Sequence, residues 1–510
     1  MLSKNISFFL FSFFLLSLRA NAQDYSFPIS IKFTVNEKVK KVLEPDGRLF
    51  IFLSKNSRRE PRTQTWPASG NYMFARNIQE FNVHEEISIS ASSDFIATSD
   101  WSLGEVPEGT YYLQLLWDQD REESRIDAPG NIYSKVKKIE VKESMEIDMI
   151  LTEIIEPRTV IDHTHVKEVT FKSELLSKWW KKDMMLKASV LLPGSYFDEP
   201  NKTFPVRYNV AGYGGRYTRV NRLVNNKTFS DWWFSEDAPQ IINVFLDGEG
   251  PFGDSYQMDS ENSGPYGKAL IEELIPHIES TYRGTGSSKY RFVDGCSTGG
   301  WVSLALQLYY PDDFNGVWSY SPDAIEFENY QLINIYKDEN VYVNEYGNQR
   351  PVARNTSGEP MMLLKDFIQY ENVLGWSDSY VTSGGQFSAH TALYSPKGDD
   401  ELPKPLFDPE SGDIDSIVAE HWKKYDMKLY AKENWAELGP KIQGKIYIWM
   451  GDMDNFYLNM ATREFDNFIK TTENPSSDAE IIFTPLKGHC ANFSHRNILE
   501  KMAEKLEAMK

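Results

Sequence analysis

The sequence predicts an all-β domain followed by an α/β domain built on a largely parallel sheet. Three observations predict it. Short runs rich in Ile, Val, Phe and Tyr, separated by turn signals, fill the chain from about Phe27 to Ile155. From about Glu168, strand-like runs alternate with helical periods. Within that second region, a short apolar run leads through a glycine-rich turn into a helix-like stretch. Regular short strands suggest a β-sandwich of the immunoglobulin-like kind, and strand–helix alternation suggests a parallel sheet.

The elements follow in order. Lys4, the apolar run Phe8 to Leu18 and the small residues Ala20-Asn21-Ala22 form a secretory leader, residues 1–22, so that the exported chain starts at Gln23. A membrane anchor is the competing reading, but the run is too short to span a bilayer. Export places the protein in the periplasm or outside the cell, where disulfides persist. Residues 23–155 form the predicted sandwich. Its strands are Phe27–Val35, Arg48–Leu53, Glu86–Ala91, Thr110–Trp117, Lys138–Val141 and Ile147–Ile154. Pro45-Asp46-Gly47, Pro67-Ala68-Ser69-Gly70, Pro107-Glu108-Gly109 and Pro129-Gly130 supply the turns. Residues 156–167 read as a linker.

Residues 168–510 form the α/β domain. Strands are expected at Leu186–Leu192, Val206–Val210, Ile241–Leu246, Tyr290–Val293, Ile446–Met450 and Ile481–Thr484. Leu270, Leu274 and Ile278 recur at helical spacing within Gly267–Tyr282, and Gly300–Tyr310 is a second helix. Residues 322–445 show few clean periods and many Tyr, Trp, Gly and Pro residues, which suggests a lid-like insertion.

The formal charge is −20, and it becomes −22 once Lys4 and Arg19 are removed. Such a balance disfavours nucleic acid as a partner, because a phosphate backbone needs clustered Lys and Arg. No membrane partner is expected after leader cleavage, and nothing in the sequence sets an oligomeric state. Asp162-His163-Thr164-His165 lacks a matching third metal ligand and reads as linker. The acidic stretch Asp247-Gly248-Glu249, Asp254, Asp259 and Glu261 does not fit an EF-hand and reads as a solvated loop. No cofactor and no metal are expected.

Gly295-Cys296-Ser297-Thr298-Gly299 is a Gly-x-Ser-x-Gly nucleophile elbow between a predicted strand and a predicted helix. In the α/β-hydrolase order the acid and the base follow the serine. Asp454 comes after Ile446–Met450, with Asp452 as competitor, and His489 comes after Ile481–Thr484. His495 falls on the expected last helix, which leaves His489 as the base. Ser297 would attack a carbonyl carbon, His489 would take its proton, and Asp454 would orient the imidazole. Oxyanion donors are expected from the backbone N–H of Thr298 and from the loop Ala211-Gly212-Tyr213-Gly214-Gly215, with Tyr213 first and Gly214 second. The chain has two cysteines, Cys296 beside the serine and Cys490 beside the histidine. If serine and histidine meet, a Cys296–Cys490 disulfide staples their two loops.

These motifs carry a family resemblance. Pro193-Gly194-Ser195-Tyr196, Tyr208 to Gly215, Gly264-Pro265-Tyr266 with Glu273-Leu274-Ile275-Pro276, and Gly295 to Gly300 resemble the esterase D-like branch of α/β-hydrolases, which includes feruloyl and acetyl esterases. The resemblance covers roughly residues 185–320 and 445–500. It implies carboxylic-ester hydrolysis by Ser297, Asp454 and His489. Cys296-Ser297, Asp454 and His489-Cys490 are also similar to the CS-D-HC arrangement of the tannase/feruloyl esterase family, whose disulfide joins the corresponding cysteines. Trp301 stands where that family usually has Arg. The expected substrate is a small-molecule or carbohydrate ester, polysaccharide-linked esters included. Two alternatives are a serine peptidase of prolyl-oligopeptidase type and a non-catalytic binding protein on a hydrolase fold.

Overall fold

The computed structural model describes residues 25–67 and 70–510. The expected leader, residues 1–22, and residues 68 and 69 of the expected Pro67–Gly70 turn lie outside them. No helix among the described residues is long and apolar enough to cross a membrane.

In the N-terminal region nine strands between Ile29 and Ile154 join in one hydrogen-bonded sheet, and Ser26–Phe27 pairs separately with Val106–Pro107. Strand Ile29–Val35 alternates as its sequence does: Ile29, Ile31, Phe33 and Val35 are buried. They share one core with Tyr111, Leu113, Leu115 and Trp117 of Gly109–Asp118. Strand Gly47–Ser54 is buried at every position. Its two faces see different neighbours, which explains the uninterrupted apolar run Leu49-Phe50-Ile51-Phe52-Leu53. Leu49, Ile51 and Leu53 enter that core, whereas Phe50 and Phe52 pack on Tyr370 and Val373 from the C-terminal region. Strand Asn71–Ile78 had no clear sequence period; it is drawn in by its full-length antiparallel pairing with Gly47–Ser54.

The second sheet holds eight strands: β1 (Val166–Lys172), β2 (Met185–Leu191), β3 (Val206–Val210), β4 (Ile242–Leu246), β5 (Arg291–Cys296), β6 (Val317–Tyr320), β7 (Ile446–Gly451) and β8 (Glu480–Thr484). Their spatial order is β1-β2-β4-β3-β5-β6-β7-β8. β2 runs antiparallel to β1 and β4, and the pairs from β4 to β8 are parallel. The central strands β3, β4 and β5 are buried throughout, and their polar residues are paired inside: Arg207 of β3 binds both carboxylate oxygens of Asp294 of β5 at 2.7 and 2.6 Å. β1 begins at Val166, inside the stretch expected to be linker, because seven residues pair in register with β2. β6 is four residues long, too short for a period to show in the sequence.

The helix expected over Gly267–Tyr282 contains a π-helical stretch, Ala269–Leu274, directly before Pro276. A proline has no N–H for the regular ladder, so the widened turn lies where the ladder is interrupted. Residues 321–445 pack against the sheet: Ile325, Phe327 and Tyr330 share one core with Val293 of β5 and Ile448 of β7. Helices α1 (Thr298–Tyr309), α2 (Leu364–Leu374), α3 (Gln386–Tyr394) and α4 (His495–Ala508) matter for the site. In a parallel sheet the loops at the carboxyl ends of the strands meet along one edge, and the candidate residues cluster there.

Candidate active site

Ser297 sits between β5 and α1 with φ 62° and ψ −128°, a conformation that non-glycine residues rarely adopt. The glycines around it are required by space. A Cβ on Gly295 would lie 2.3 Å from the Gly299 carbonyl oxygen, and one on Gly299 would lie 2.3 Å from that of Val210. This turn lifts the serine side chain onto the wall of a cavity of about 930 Å³. His489 and Cys490 line the same cavity, as do Gly212 and Tyr213.

His489 lies past β8. Its Nδ1 is 2.7 Å from Asp454 Oδ2. Asp454 lies past β7 and is fully buried. Its other oxygen, Oδ1, accepts from the N–H groups of Phe456 and Leu458 at 2.9 and 3.3 Å, which fixes the carboxylate plane. Asp452 points elsewhere and bonds Arg463. Burial disfavours the imidazolium of His489, but the charge and hydrogen bond of Asp454 outweigh it and raise the pKa above the ordinary imidazole value. The Phe456 ring stands edge-on to the imidazole at 5.0 Å. Trp66, from the N-terminal region, packs 6.3 Å from Phe456 and 5.0 Å from Phe367, so that region supplies part of the cavity wall.

Cys296 and Cys490 form a disulfide that closes a sequence separation of 194 residues. It ties the residue before Ser297 to the residue after His489. Cys490 N–H also donates to Ser321 Oγ at 3.1 Å, and His489 N–H to Asn455 Oδ1 at 2.9 Å.

The loop after β3 closes on the serine. A Cβ on Gly212 would lie 3.3 Å from the Cys296 carbonyl oxygen and 3.6 Å from Ser297 Cβ. Gly214 holds φ +72°, and Gly215 N–H bonds Gly212 O at 3.0 Å. Among the described residues, no acceptor is bonded to the N–H groups of Tyr213 or Gly214. Thr298 begins α1, where helix N–H groups have no partner within the helix. This loop is braced from outside. Tyr213 donates its hydroxyl to Gly384 O at 2.6 Å, and the Arg125 guanidinium lies 5.6 Å from the centre of the Tyr213 ring. Arg216 binds both carboxylate oxygens of Asp247 at 2.8 and 3.0 Å, and both of Glu123 at 2.8 and 3.1 Å. Glu123 belongs to the N-terminal region and also accepts from Arg158 at 2.8 Å.

The acidic stretch 247–261 therefore differs from the solvated loop expected. Asp247 and Asp254 are buried, with Arg216 paired to Asp247 at 2.8 Å, whereas Asp259 and Glu261 remain partly exposed. His163 stacks on Phe234 at 5.2 Å, and His165 packs tilted against the same ring at 4.9 Å. Among the described residues, no group of three or more His, Cys, Asp or Glu side chains is placed to hold a metal ion.

One part of the cavity was not anticipated. Asp323, just past β6, is buried and stands with Oδ1 3.5 Å from Ser297 Oγ. No Ser297–His489 hydrogen bond forms among the described residues; the serine hydroxyl meets Asp323 instead. Burial pushes the Asp323 carboxyl up, but His390, Tyr256 and the charge of His489 together hold it below the ordinary value. The signal that finds it is the one used for Asp454, a carboxylate at the carboxyl end of a strand. It passed unnoticed because β6 itself was not recognised.

An eight-stranded sheet in this order, with a strained serine turn after its fifth strand and an acid–histidine pair after its seventh and eighth, defines an α/β-hydrolase. The family described as "Putative esterase" matches residues 181–497, and the chain belongs to that esterase family. It is a carboxylic ester hydrolase. No curated protein matches it. Among solved structures it is similar to a ferulic acid esterase, at 15% identity and a TM-score of 0.41, covering 66% of this chain and 98% of that one. It is also similar to FphF, a fluorophosphonate-binding serine hydrolase of Staphylococcus aureus, at 13% identity and a TM-score of 0.38, covering 66% and 97%. A prolyl endopeptidase aligns at 9% identity and a TM-score of 0.37, covering 85% of this chain and 48% of its own.

Proposed function

We propose that the protein is an exported serine esterase in which Ser297 is the nucleophile, His489 the general base and acid, and Asp454 the group that orients the imidazole. One observation carries the reading: the 2.7 Å His489–Asp454 contact stands on a loop that the disulfide ties to the residue before Ser297. Asp454 on Nδ1 leaves Nε2 as the nitrogen that takes the Ser297 proton. Ser297 Oγ turns from Asp323 toward that nitrogen as it attacks the ester carbonyl. The C–O double bond opens, and the negative charge on oxygen is met by the N–H groups of Thr298 and of Tyr213 or Gly214. His489 then protonates the leaving alcohol, an acyl-Ser297 remains, and water repeats the sequence to release the acid.

Polysaccharide-linked esters suit a cavity of about 930 Å³ with aromatic walls such as Trp66, Phe367 and Phe456. We assign residues 1–22 to a cleaved leader, 23–155 to an all-β domain, 156–165 to the connection and 166–510 to the catalytic domain, with 322–445 as its insertion. A fluorophosphonate probe tests the assignment. Wild type is labelled and Ser297→Ala is not. Equal labelling of the two removes Ser297 as nucleophile. The same preparation cleaves p-nitrophenyl acetate and leaves peptide anilides intact; the reverse preference makes it a peptidase.

A further inference from the structure

Resting on this serine-esterase reading, we propose that Asp323 binds substrate directly and selects esters that carry a hydroxyl or ammonium group beside the scissile carbonyl.

The two oxygens of Asp323 have different surroundings. Oδ2 is saturated: it accepts from Tyr256 OH at 2.8 Å, Thr298 Oγ1 at 3.0 Å and Gln386 Nε2 at 3.1 Å, with His390 Nε2 at 3.6 Å. These donors come from three separate segments and hold the carboxylate in one orientation. His390 is itself held by Tyr330, whose hydroxyl lies 2.5 Å from Nδ1. Among the described residues Oδ1 has a single partner, Ser297 Oγ, at the long distance of 3.5 Å. Asp323, Gln386, His390 and Tyr330 all line the cavity that holds Ser297.

An anion so close to the nucleophile opposes the charge that grows on the substrate carbonyl oxygen. The oxyanion therefore forms on the far side, toward Tyr213 and Thr298, and the Asp323 side receives another part of the substrate. When Ser297 turns to His489, Oδ1 loses its one donor while still buried. A buried carboxylate oxygen without a donor is costly. An O–H or N–H group on the carbon next to the carbonyl, or on the carbon adjacent to the one that bears the ester oxygen, restores that bond within reach of the attacked centre. An apolar substituent leaves the oxygen bare, and a carboxylate is repelled. Sites built to bond a substrate hydroxyl discriminate strongly against analogues that lack it. The class selected is a hydroxylated ester, on the acyl side as in a 2-hydroxy acid or on the alcohol side as in a sugar.

Matched ester pairs test this on the whole protein. The acyl-side pair is methyl lactate and methyl propionate, and the alcohol-side pair is 2-hydroxyethyl acetate and ethyl acetate. Monomethyl succinate supplies the carboxylate. Wild type is expected to favour the hydroxylated member of at least one pair by about 10- to 100-fold in kcat/KM, the worth of a hydrogen bond to a charged group. The pair that responds names the side. Asp323→Asn is expected to bring that ratio close to one and to raise the relative rate on monomethyl succinate. Fluorophosphonate labelling of Ser297 is followed in parallel. If labelling holds and wild type shows no preference in either pair, or the preference survives in Asp323→Asn, the role of Asp323 is overturned while the esterase reading stands. If Ser297 is not labelled, both fall. The wild-type ratios are informative even if the variant does not fold.

Discussion

In the proposed mechanism Ser297 and His489 carry the chemistry, and different local constraints hold them. The serine holds a positive φ in a turn where Gly295 and Gly299 themselves have no space for a side chain. His489 is held by one carboxylate and one backbone contact. Removing the nucleophile in Ser297→Ala is expected to lower kcat on the order of a millionfold, read with p-nitrophenyl acetate. The raised pKa of His489 has a defined consequence for the pH profile. The base must be neutral, so kcat/KM falls as pH drops through a pKa that lies above the ordinary imidazole value of about 6.5. Asp454→Asn removes the main cause of that rise and leaves burial opposed only by the smaller contribution of the Asp323 charge. Its acid limb is expected at lower pH, with kcat down by about 10⁴-fold. Were the limb to stay in place, the Asp454 contact would not be what raises the pKa. At this scale the sequence was informative wherever chemistry follows a recognisable strand. Ser297, Asp454 and His489 follow β5, β7 and β8; Ser297 and His489 line one cavity, and Asp454 lies fully buried against Nδ1 of His489. Asp323, Gln386 and His390 were not legible, because β6 is short and α3 lies in a segment without clear periodicity.

Among elements, the informative feature is the loop after β3, which is positioned by side chains from elsewhere. Arg216 at its end meets Glu123 from the N-terminal region, so the two regions share an ion pair beside the expected oxyanion donors. Glu123→Gln is expected to lower kcat about 10- to 100-fold with a smaller change in KM, since a misplaced donor acts on the transition state. Glu123→Asp restores part of that loss. An unchanged kcat in Glu123→Gln would show that the loop holds its shape unaided. The disulfide acts between elements in the same way. Its 194-residue separation gives, in the chain-entropy account, a stabilisation of up to about 5 kcal/mol. Reduction is expected to lower the melting temperature and esterase activity together, followed by calorimetry and by thiol counting. None of the cross-region contacts could be read from sequence. Arg216, Glu123 and Asp247 are ordinary surface residue types, and only the fold shows that they meet.

Over the whole molecule, the N-terminal sheet and the α/β sheet are joined by an apolar face, with Phe50 and Phe52 against Tyr370 and Val373 of α2. The strand pattern announced both sheets, and the solid run Leu49 to Leu53 carried a hint of two-sided burial. What it packs against was not legible, since α2 lies more than 300 residues away in the chain. Burial also raises several carboxyl groups: Asp118, Asp254 and Glu371 to about 7, and Glu249 to about 8. Their unfolded values are near 4. Between about pH 5 and 8 the native state thus binds more protons than the unfolded chain, and stability from these groups is lost as pH rises through 7 to 8. The melting temperature is expected to fall from pH 6 to pH 9. A rise over that interval would mean that these carboxyls are ionised in the fold at no cost.

The most direct test of the central claim is to trap the acyl-enzyme. Wild type is mixed with p-nitrophenyl acetate, quenched in acid within the burst and digested under non-reducing conditions. Peptide mass spectrometry is expected to find one acetyl group on Ser297, in a peptide still joined through Cys296 to Cys490, and none in Ser297→Ala. Acetyl on another residue, or a burst that persists in Ser297→Ala, would contradict the account.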